Sequence, residues 1–545
     1  MRLPIPETDI PSFYLLALNS SYTHTNLAVR CLTKALCAHG FAAGFGEFNL
    51  KDQRRRILEA LVNAKAEVYG FSSYIWNIRE LLSLAADLKA VRPDAVIFFG
   101  GPEVSFDTDE LLASHPFIDH ILVGEGESAV VTLAETLARG EVPPRVIDGG
   151  VYAGFPEQGM VYTPEEMRGS GARMLYYESS RGCPFRCAYC LSSLSGKVRA
   201  KPADVTLAEL AEFETLDADI KVIKFVDRTF NFDRERAKAI WRGLLDKRFT
   251  KCYHFEICAE LLDEESIEIL AAFPKGKVQL EIGVQSINPD TLAAVSRRTD
   301  TDRLLAVIER LHSLGNMHIH ADLIAGLPRE TMETFAAAFD ALYGRCDMLQ
   351  LGFLKLLRGS ALRRDAESFG CVYSAEPPYT VLATDSMSFA DLSLLHDIDD
   401  LSERFGGEGF QRGRALVMAR EQSPFAVYQR LAEGFRKAGL RVRELSQPRA
   451  YEAFFSLMGG GRELAEALCA DWLCTQKTPP PAFDGLGLRR VQDDDARRAF
   501  IDWAEEAGEV CFAPALEVWR GSVTLIADRR SQLVWRANGK EFVKI

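Results

Sequence analysis

The stretch LYYESSRGCPFRCAYC, residues 175–190, joins an apolar run to a loop that holds three cysteines. An apolar run that is followed at once by Gly182 and Pro184 predicts a β-strand that ends in an irregular loop. Cys183, Cys187 and Cys190 stand in that loop with the spacing CxxxCxxC. The sequence therefore predicts a cysteine cluster directly after the first strand of a new region.

Beyond this stretch the chain alternates apolar runs with helical patterns, such as those at 234–245 and 302–314. Six β/α units predict a partial (β/α)6 barrel, whose chemistry lies at the carboxyl ends of its strands. The predicted strands are 175–179, 221–226, 254–259, 278–284, 318–324 and 349–355.

The region before the cysteines also alternates strands and helices, which predicts an α/β fold with a doubly wound, Rossmann-like parallel sheet. The region after residue 360 reads as mostly helical, with a final strand-like pair at 522–526 and 532–535. We therefore expect four segments. They are a sheet domain at 1–150, a linker at 151–172, the barrel at 173–358 and an accessory domain at 359–545.

The carboxyl ends of the first sheet's strands carry small and glycine-rich tips, where parallel sheets bind ligands. The tips are Asn19-Ser20-Ser21-Tyr22, Ser72-Ser73-Tyr74, Gly100-Gly101-Pro102-Glu103 and Gly124-Glu125-Gly126-Glu127. No GxGxxG follows the first strand, which disfavours a dinucleotide. The alternative is that these glycines only form tight turns.

Composition narrows the function classes. Of the 545 residues, 47% are hydrophobic and 26% are charged, which predicts an ordinary folded protein. The 64 basic and 77 acidic residues give a net charge of -13, which disfavours a nucleic-acid partner. Prolines interrupt the first ten residues and no long apolar run follows, so we expect a cytoplasmic protein with no membrane partner. Its twelve cysteines are then candidates for a metal or redox site.

Three thiolates cannot complete a closed tetrahedral zinc site, and no histidine lies near them in sequence. A [4Fe-4S] cluster on three cysteines would keep one iron open for a small molecule with an amine and a carboxylate. A zinc site completed by a distant residue is the alternative.

This spacing, with Tyr189 before the third cysteine, closely resembles the radical S-adenosylmethionine (SAM) enzymes. The resemblance covers roughly residues 173–356 and implies a [4Fe-4S] cluster on the three cysteines. The usual Gly-Gly-Glu segment is replaced by a segment that contains Asp227. By resemblance, the candidate SAM-binding residues are Tyr189, Asp227, Glu256, Glu281, Gln285, Arg297 and Asp322.

Because such a barrel follows it in the chain, the first sheet resembles that of the cobalamin-binding subclass of radical SAM proteins. The mutase signature Asp-x-His-x-x-Gly is absent, and the nearest look-alike contains His120, so a cobalt-bound histidine is not expected. The C-terminal region resembles a group with an extra domain of uncharacterised function. The candidate cobalamin-binding residues are Asn19, Ser20, Tyr22, Ser72, Ser73, Tyr74, Gly100, Gly101, Glu103, Gly124, Glu125 and Gly126.

The resemblance implies an enzyme that cleaves SAM reductively and, with cobalamin, methylates or otherwise modifies a small-molecule substrate. It also implies an electron donor such as a flavodoxin or a ferredoxin. One alternative is transfer of the 3-amino-3-carboxypropyl group of SAM to a thiol or an arsenic compound. A second alternative is a non-catalytic cobalamin or SAM sensor.

Overall fold

A computed structural model describes most of the chain, in two compact units. The first unit comprises Met1–Thr331 and Gly344–Met387, and the second comprises Met332–Tyr343 and Ser388–Ile545. The described residues are 12–168, 170–194, 196–217, 219–421, 423–476, 478–507, 509, 511, 515–538 and 541–545.

A six-stranded parallel sheet opens the first unit. Its strands are β1 (Ser12–Asn19), β2 (Ala42–Asn49), β3 (Val68–Ser72), β4 (Val96–Gly100), β5 (His120–Val123) and β6 (Val146–Asp148). Its helices are α1 (Leu27–Ala38), α2 (Arg54–Ala64), α3 (Ile78–Val91), α4 (Thr108–Ser114) and α5 (Gly126–Ala138). The apolar runs predicted as strands are nearly continuous because both faces of this sheet are buried, each against its own apolar cluster. The predicted doubly wound sheet is confirmed.

The strand order of this sheet is β2-β1-β3-β4-β5-β6. The chain therefore changes direction between β1 and β3, and a crevice opens at this switch point beyond the carboxyl ends of the strands. Asn26 lies at that edge and caps α1, accepting a hydrogen bond from the Val29 amide at 3.1 Å. The order places the tips after β1, β3, β4 and β5 at one edge.

The second parallel sheet has the order β14-β13-β12-β11-β10-β7 and is the partial barrel predicted from the sequence. A short helix, α6 (Pro164–Met167), precedes it. The strands of this region are β7 (Met174–Tyr177), β8 (Ser180–Arg181), β9 (Arg199–Ala200), β10 (Val222–Phe225), β11 (Cys252–Ile257), β12 (Val278–Gln285), β13 (His318–Ala325) and β14 (Met348–Phe353). Its helices are α7 (Ala203–Phe213), α8 (Arg234–Leu244), α9 (Glu264–Ala271), α10 (Pro289–Ala294), α11 (Thr301–Ser313) and α12 (Met332–Leu342), of which α12 is counted with the second unit.

Polar side chains occupy one face of the barrel strands. Along β11, β12 and β13 every second residue is buried, and polar residues stand at many of the alternate positions. Glu281 on β12 contacts Lys224 on β10 and His254 on β11, which places these groups on one face. Barrel interiors filled for stability alone are mostly branched and apolar. This polar face therefore indicates a functional interior.

The first unit continues past β14 through α13 (Ala361–Arg364), β15 (Val372–Tyr373) and β16 (Val381–Ala383). This segment returns to the first sheet, because the Tyr379 hydroxyl donates to the Glu103 carboxylate. Arg358 also donates to Tyr379, at 2.8 Å. The accessory region predicted from residue 359 therefore begins with a segment that packs in the first unit, and the second unit resumes at Ser388.

The second unit contains helices and an antiparallel sheet of order β17-β18-β19-β20-β21. Its mostly helical character agrees with the sequence analysis, and the predicted final strand pair corresponds to two strands of this sheet. The elements are α14 (Phe389–Phe405), α15 (Gln411–Arg420), α16 (Pro424–Lys437), α17 (Gln447–Leu457), α18 (Arg462–Thr475), β17 (Arg489–Val491), α19 (Asp494–Ala507), β18 (Leu516–Arg520), β19 (Thr524–Asp528), β20 (Leu533–Asn538) and β21 (Glu541–Lys544). Among the helices in the described residues, none has both the length and the apolar composition needed to cross a bilayer.

Candidate active site

A cavity of about 840 Å³ lies in the first unit, between the carboxyl edge of the first sheet and the start of the barrel. One wall consists of the tips of the first sheet, and the other includes Tyr176, Glu178, Arg181 and Arg228. The volume is in the range of sites that bind cofactors and drug-sized molecules. Nine of the twelve residues predicted for cobalamin line it: Asn19, Ser20, Ser72, Tyr74, Gly100, Gly101, Gly124, Glu125 and Gly126.

Two of these glycines are required by the backbone around them. Gly101 has φ +115°, and a β-carbon there would clash with the backbone oxygen of Ser73. Gly124 has φ +74°, and its β-carbon would lie 2.9 Å from the Gly150 amide nitrogen. Glycine thus lets neighbouring tips pack against one another. Gly101 and Gly124 are therefore required by the local backbone and also line the cavity, so the two interpretations of the glycine-rich tips, tight turns and a ligand site, apply to the same residues.

The other three predicted residues are not among those that line the cavity. Tyr22 is 64% exposed, and its hydroxyl donates to Asp52 at 3.1 Å. Ser73 is buried and holds the tips together through its amide, which donates to the Gly100 oxygen at 2.8 Å. Glu103 is buried beneath Tyr379. The Tyr22 and Glu103 side chains and the Ser73 amide each make a structural contact, and none of the three residues lines the cavity.

The three cysteines lie on one loop with a narrow neck. The strands β8 and β9 pair antiparallel, with Arg181 opposite Arg199, and so close the loop at its base. The Cys187 thiol is buried, while those of Cys183 and Cys190 are partly exposed, and all three are free. Gly182, at φ +97°, turns the chain into the loop. One short segment thus presents three thiols beside the cavity.

Asp227 supports this loop from beneath. It is completely buried and accepts hydrogen bonds from the Ser179 amide at 2.8 Å, the Ser179 hydroxyl at 2.5 Å and the Ser180 hydroxyl at 2.7 Å. Burial raises the pKa of Asp227, although these hydrogen bonds oppose the shift. The Asp227 carboxylate, which was predicted to contact SAM, therefore accepts hydrogen bonds from the strand end that leads to Cys183.

Arg297 and Tyr189 lie beside the middle cysteine. Arg297 donates to the Gly283 backbone oxygen, and its Nη1 atom is 3.8 Å from the Cys187 sulfur. Burial raises the pKa of the Tyr189 hydroxyl, which keeps that hydroxyl protonated. Gln285 has φ +70° at a bulge in β12, and its amide lies directly over Gly283. These three predicted residues are gathered at the strand ends near the cysteines.

The predicted carboxylates Glu256, Glu281 and Asp322 share the polar face of the barrel. Although burial raises the pKa of Glu281, its hydrogen bond to His254 and the charge of Lys224 lower the pKa to about 2. Burial, with smaller contributions from neighbouring carboxylates, raises the pKa of Glu256 and of Asp322 to about 7 each. Glu281 is thus a paired anion, whereas the other two can carry a proton near neutrality.

The sequence analysis did not single out several groups at the cavity. His24 lines it and makes a 2.5 Å hydrogen bond through Nδ1 to the Tyr176 hydroxyl. Arg181 binds carboxylates of the first sheet, as described below. His120, the look-alike histidine, is instead buried at the start of β5 with Nδ1 2.9 Å from the Pro144 oxygen. Position beside the cysteine motif was the available signal for Arg181.

The donor groups fit a cluster and a large flat cofactor. Among the described residues no three histidine, cysteine or acidic side chains form a group that could hold a single metal ion. Thiols that bind a four-iron cluster each bind a different iron, so they need not converge on one point. The cavity meets the other requirement, since its volume is about 840 Å³ and glycines and serines stand among the apolar side chains of its sheet wall.

Three family models match consecutive parts of the chain. Residues 15–134 match the B12 binding domain, and residues 177–342 match the radical SAM superfamily. Residues 367–501 match a protein family of unknown function, DUF4080. The first two matches contain the cavity tips and the cysteine loop, respectively.

Relatives with known descriptions match about half of the chain. The cobalamin-dependent radical SAM methyltransferase TokK of Streptomyces tokunonensis is 26% identical over 309 residues, which cover 51% of this chain and 44% of that protein. The chain spans between 44% and 62% of the length of the first methyltransferases that it matches.

Two solved structures share the fold. The cobalamin-dependent SAM radical enzyme OxsB matches with a TM-score of 0.58 at 15% identity, over 85% of this chain and 78% of that one. The methyltransferase TsrM from Kitasatospora setae, with cobalamin and a [4Fe-4S] cluster bound, matches with a TM-score of 0.54 at 17% identity, over 68% and 78%.

Proposed function

From the premise that this chain is a radical SAM protein with an N-terminal B12-binding domain, we propose that it is a cobalamin-dependent radical SAM methyltransferase for a small-molecule substrate. The observation that carries the proposal is the cavity of about 840 Å³. Its lining includes the tips of the B12-binding domain and Gly182, the neighbour of the first cysteine. Methyl donor and cluster would then lie at the same cavity.

Each cofactor has proposed ligands on this chain. Cys183, Cys187 and Cys190 would hold the [4Fe-4S] cluster, and the nine cavity-lining tip residues would contact cobalamin. Tyr189, Gln285 and Arg297, gathered near the cysteines, are the proposed SAM contacts. When bound, the cluster and SAM supply a carbon radical, and cobalamin supplies the methyl group.

The protein's own contribution is positioning and exclusion of water. Arg297 places a hydrogen-bond donor 3.8 Å from the sulfur of Cys187, one of the three proposed cluster ligands. Asp227 fixes the strand end that carries the cysteine loop. Burial keeps Glu256 and Asp322 able to hold or release a proton near pH 7, where they can bind polar groups of SAM or substrate.

We further propose that an electron donor such as a flavodoxin or a ferredoxin reduces the cluster. The segments proposed from the sequence, 1–150, 151–172, 173–358 and 359–545, would act as cofactor domain, linker, catalytic barrel and accessory domain. The net charge of -13 is consistent with a small-molecule substrate rather than a nucleic acid.

The test is anaerobic purification with iron, sulfide and hydroxocobalamin, followed by reduction in the presence of SAM. The proposal expects cluster and cobalamin absorbance together with 5'-deoxyadenosine and S-adenosylhomocysteine. Recovery of 5'-methylthioadenosine instead would support transfer of the 3-amino-3-carboxypropyl group. Tight binding of SAM and cobalamin with no SAM-derived product under strong reductant would indicate a sensor.

A further inference from the structure

Arg181 is surrounded by three carboxylates although it stands only two residues before Cys183. Its Nη1 atom is 2.8 Å from Glu125, its Nη2 atom is 2.6 Å from Glu127, and its Nε atom is 3.0 Å from Glu178. The Arg181 side chain is 14% exposed. A guanidinium group has five donors in a fixed plane, so it can bind several carboxylates at once with defined directions.

Two of the three carboxylates belong to the other wall of the cavity. Glu125 and Glu127 lie on the tip Gly124–Glu127, which follows β5 and includes the first residues of α5, whereas Glu178 is on the barrel side. Arg199, which is paired with Arg181 across the neck of the cysteine loop, also binds Glu125. Both strands of the neck are therefore fastened to the same tip of the first sheet.

Aromatic and backbone contacts complete this arrangement. The Arg181 guanidinium lies 4.5 Å from the centre of the Phe155 ring, in the linker between the two sheets. Arg199 donates to the Tyr152 backbone oxygen at 2.9 Å. A charged network that is largely removed from water has a geometry that is costly to change, because a displaced partner leaves a buried charge unpaired.

We propose that Arg181, supported by Arg199, is a positioning residue that couples the cobalamin site to the cluster site. The inference rests on the proposed function, since it assigns cobalamin to the Gly124–Glu127 tip and the cluster to the loop. An ordered cluster loop fixes Arg181, and Arg181 fixes the tip, so binding at either site strengthens binding at the other. Thermodynamic linkage requires this effect to be reciprocal.

The test measures hydroxocobalamin affinity by absorbance titration in two forms of the full-length protein. One form carries the reconstituted cluster, and in the other the iron has been removed by chelation. In the wild type we expect cobalamin to bind at least about 5-fold more tightly to the form with the cluster, the lower end of typical coupling between sites.

Arg181→Gln should reduce the ratio of the two cobalamin affinities, with and without the cluster, to about 1. Arg181→Lys should restore part of it, because the charge is kept while the planar fork is lost. Glu125→Gln tests the same contact from the opposite wall with little change in shape, so the inference remains testable if an Arg181 variant folds poorly.

The matched control is Arg30→Lys. Arg30 is also buried, binds Glu47 at 2.7 Å and Glu166 at 2.5 Å, and lies 4.9 Å from an aromatic ring centre, but its side chain is not part of the cavity lining. This variant should keep the affinity ratio even if its thermal stability falls.

A second readout is the electron paramagnetic resonance spectrum of the protein with reduced cluster and cob(II)alamin. In the wild type we expect a magnetic interaction between the two centres whose strength is narrowly distributed. In Arg181→Gln we expect a broader distribution of the interaction strength. The inference is overturned if Arg181→Gln and Glu125→Gln, both folded with full cluster content, keep the wild-type ratio and spectrum. A wild-type ratio of 1 overturns it too. A wild type that binds no cobalamin in either form contradicts the proposed function itself.

Discussion

Cys187 is the cysteine of the motif whose removal should have the clearest effect. Its thiol is the buried one of the three, and the Arg297 Nη1 atom lies 3.8 Å from its sulfur. Cys187→Ala should lose the [4Fe-4S] absorbance and at least about 100-fold in SAM cleavage, equivalent to roughly 2.7 kcal/mol. Iron content and 5'-deoxyadenosine yield measure the two effects. The control is Cys37→Ala, at an exposed site on α1, which should behave as wild type. Retention of the cluster in Cys187→Ala would contradict the assignment of Cys187 as a cluster ligand.

Asp322 should make the cluster-free protein less stable as the pH rises. Burial raises the pKa of Asp322 to about 7, above its value of about 3.9 in an unfolded chain. The folded state therefore holds more protons between these values, and its stability falls as the pH increases through this window.

Asp322→Asn removes this ionisation, so its free energy of unfolding should fall less between pH 5 and pH 8, by roughly 1–3 kcal/mol. Urea unfolding of cluster-free protein at several pH values measures the difference. Asp94→Asn, at an exposed position, is the control and should follow the wild type. Parallel pH profiles for wild type and Asp322→Asn would show that Asp322 does not titrate in this range.

At the scale of elements, the tips of the first sheet depend on one another. Gly101→Ala would force a β-carbon against the Ser73 oxygen at a positive φ, and we expect a loss of roughly 2 kcal/mol in stability and weaker cobalamin binding. Gly140→Ala shares a positive φ but has open space around the β-carbon, so it isolates the effect of the clash. Denaturant unfolding and cobalamin titration measure both variants. If Gly101→Ala and Gly140→Ala have the same stability and the same cobalamin affinity, the tips can separate freely.

At the scale of the whole molecule, the two compact units should respond differently to cobalamin. A ligand that binds the cavity stabilises the surrounding structure, so hydrogen exchange should slow at residues 72–74, 100–103 and 124–127. Residues 447–475 of the second unit should exchange at an unchanged rate. Exchange measured by mass spectrometry with and without hydroxocobalamin tests this. Protection confined to the second unit would move the cobalamin site there.

The sequence predicted much of the architecture because its signals are local. Strand–helix alternation located the six strands of the barrel sheet to within a few residues and correctly indicated a parallel sheet before them. The resemblances recognised from the cysteine spacing and from the sheet tips are confirmed by the models of the radical SAM superfamily and the B12 binding domain, which match residues 177–342 and 15–134. The cofactor set expected from the sequence, a [4Fe-4S] cluster, SAM and cobalamin, is the set implied by these two domains.

The predicted ligand residues show that a local sequence pattern does not determine the direction of each side chain. Tyr22, Ser73 and Glu103 belong to the predicted tips, but their side chains contact Asp52, the Phe71 backbone oxygen and Tyr379, respectively. Asp227 stands after β10 and accepts hydrogen bonds from Ser179 and Ser180, which lead into the cysteine loop. A tip can be located from its sequence, whereas the direction of each side chain depends on what packs against it.

The sequence by itself determined the order of the domains, the parallel strands and the three-cysteine motif, because apolar periodicity and cysteine spacing are properties of neighbouring residues. Only the tertiary structure decided that one cavity has the sheet tips and the cysteine loop as opposite walls. It alone brought Arg181 within hydrogen-bonding distance of Glu125 and Glu127, more than fifty residues earlier in the chain. Contacts of that kind depend on how two sheets pack, and no local pattern encodes the packing.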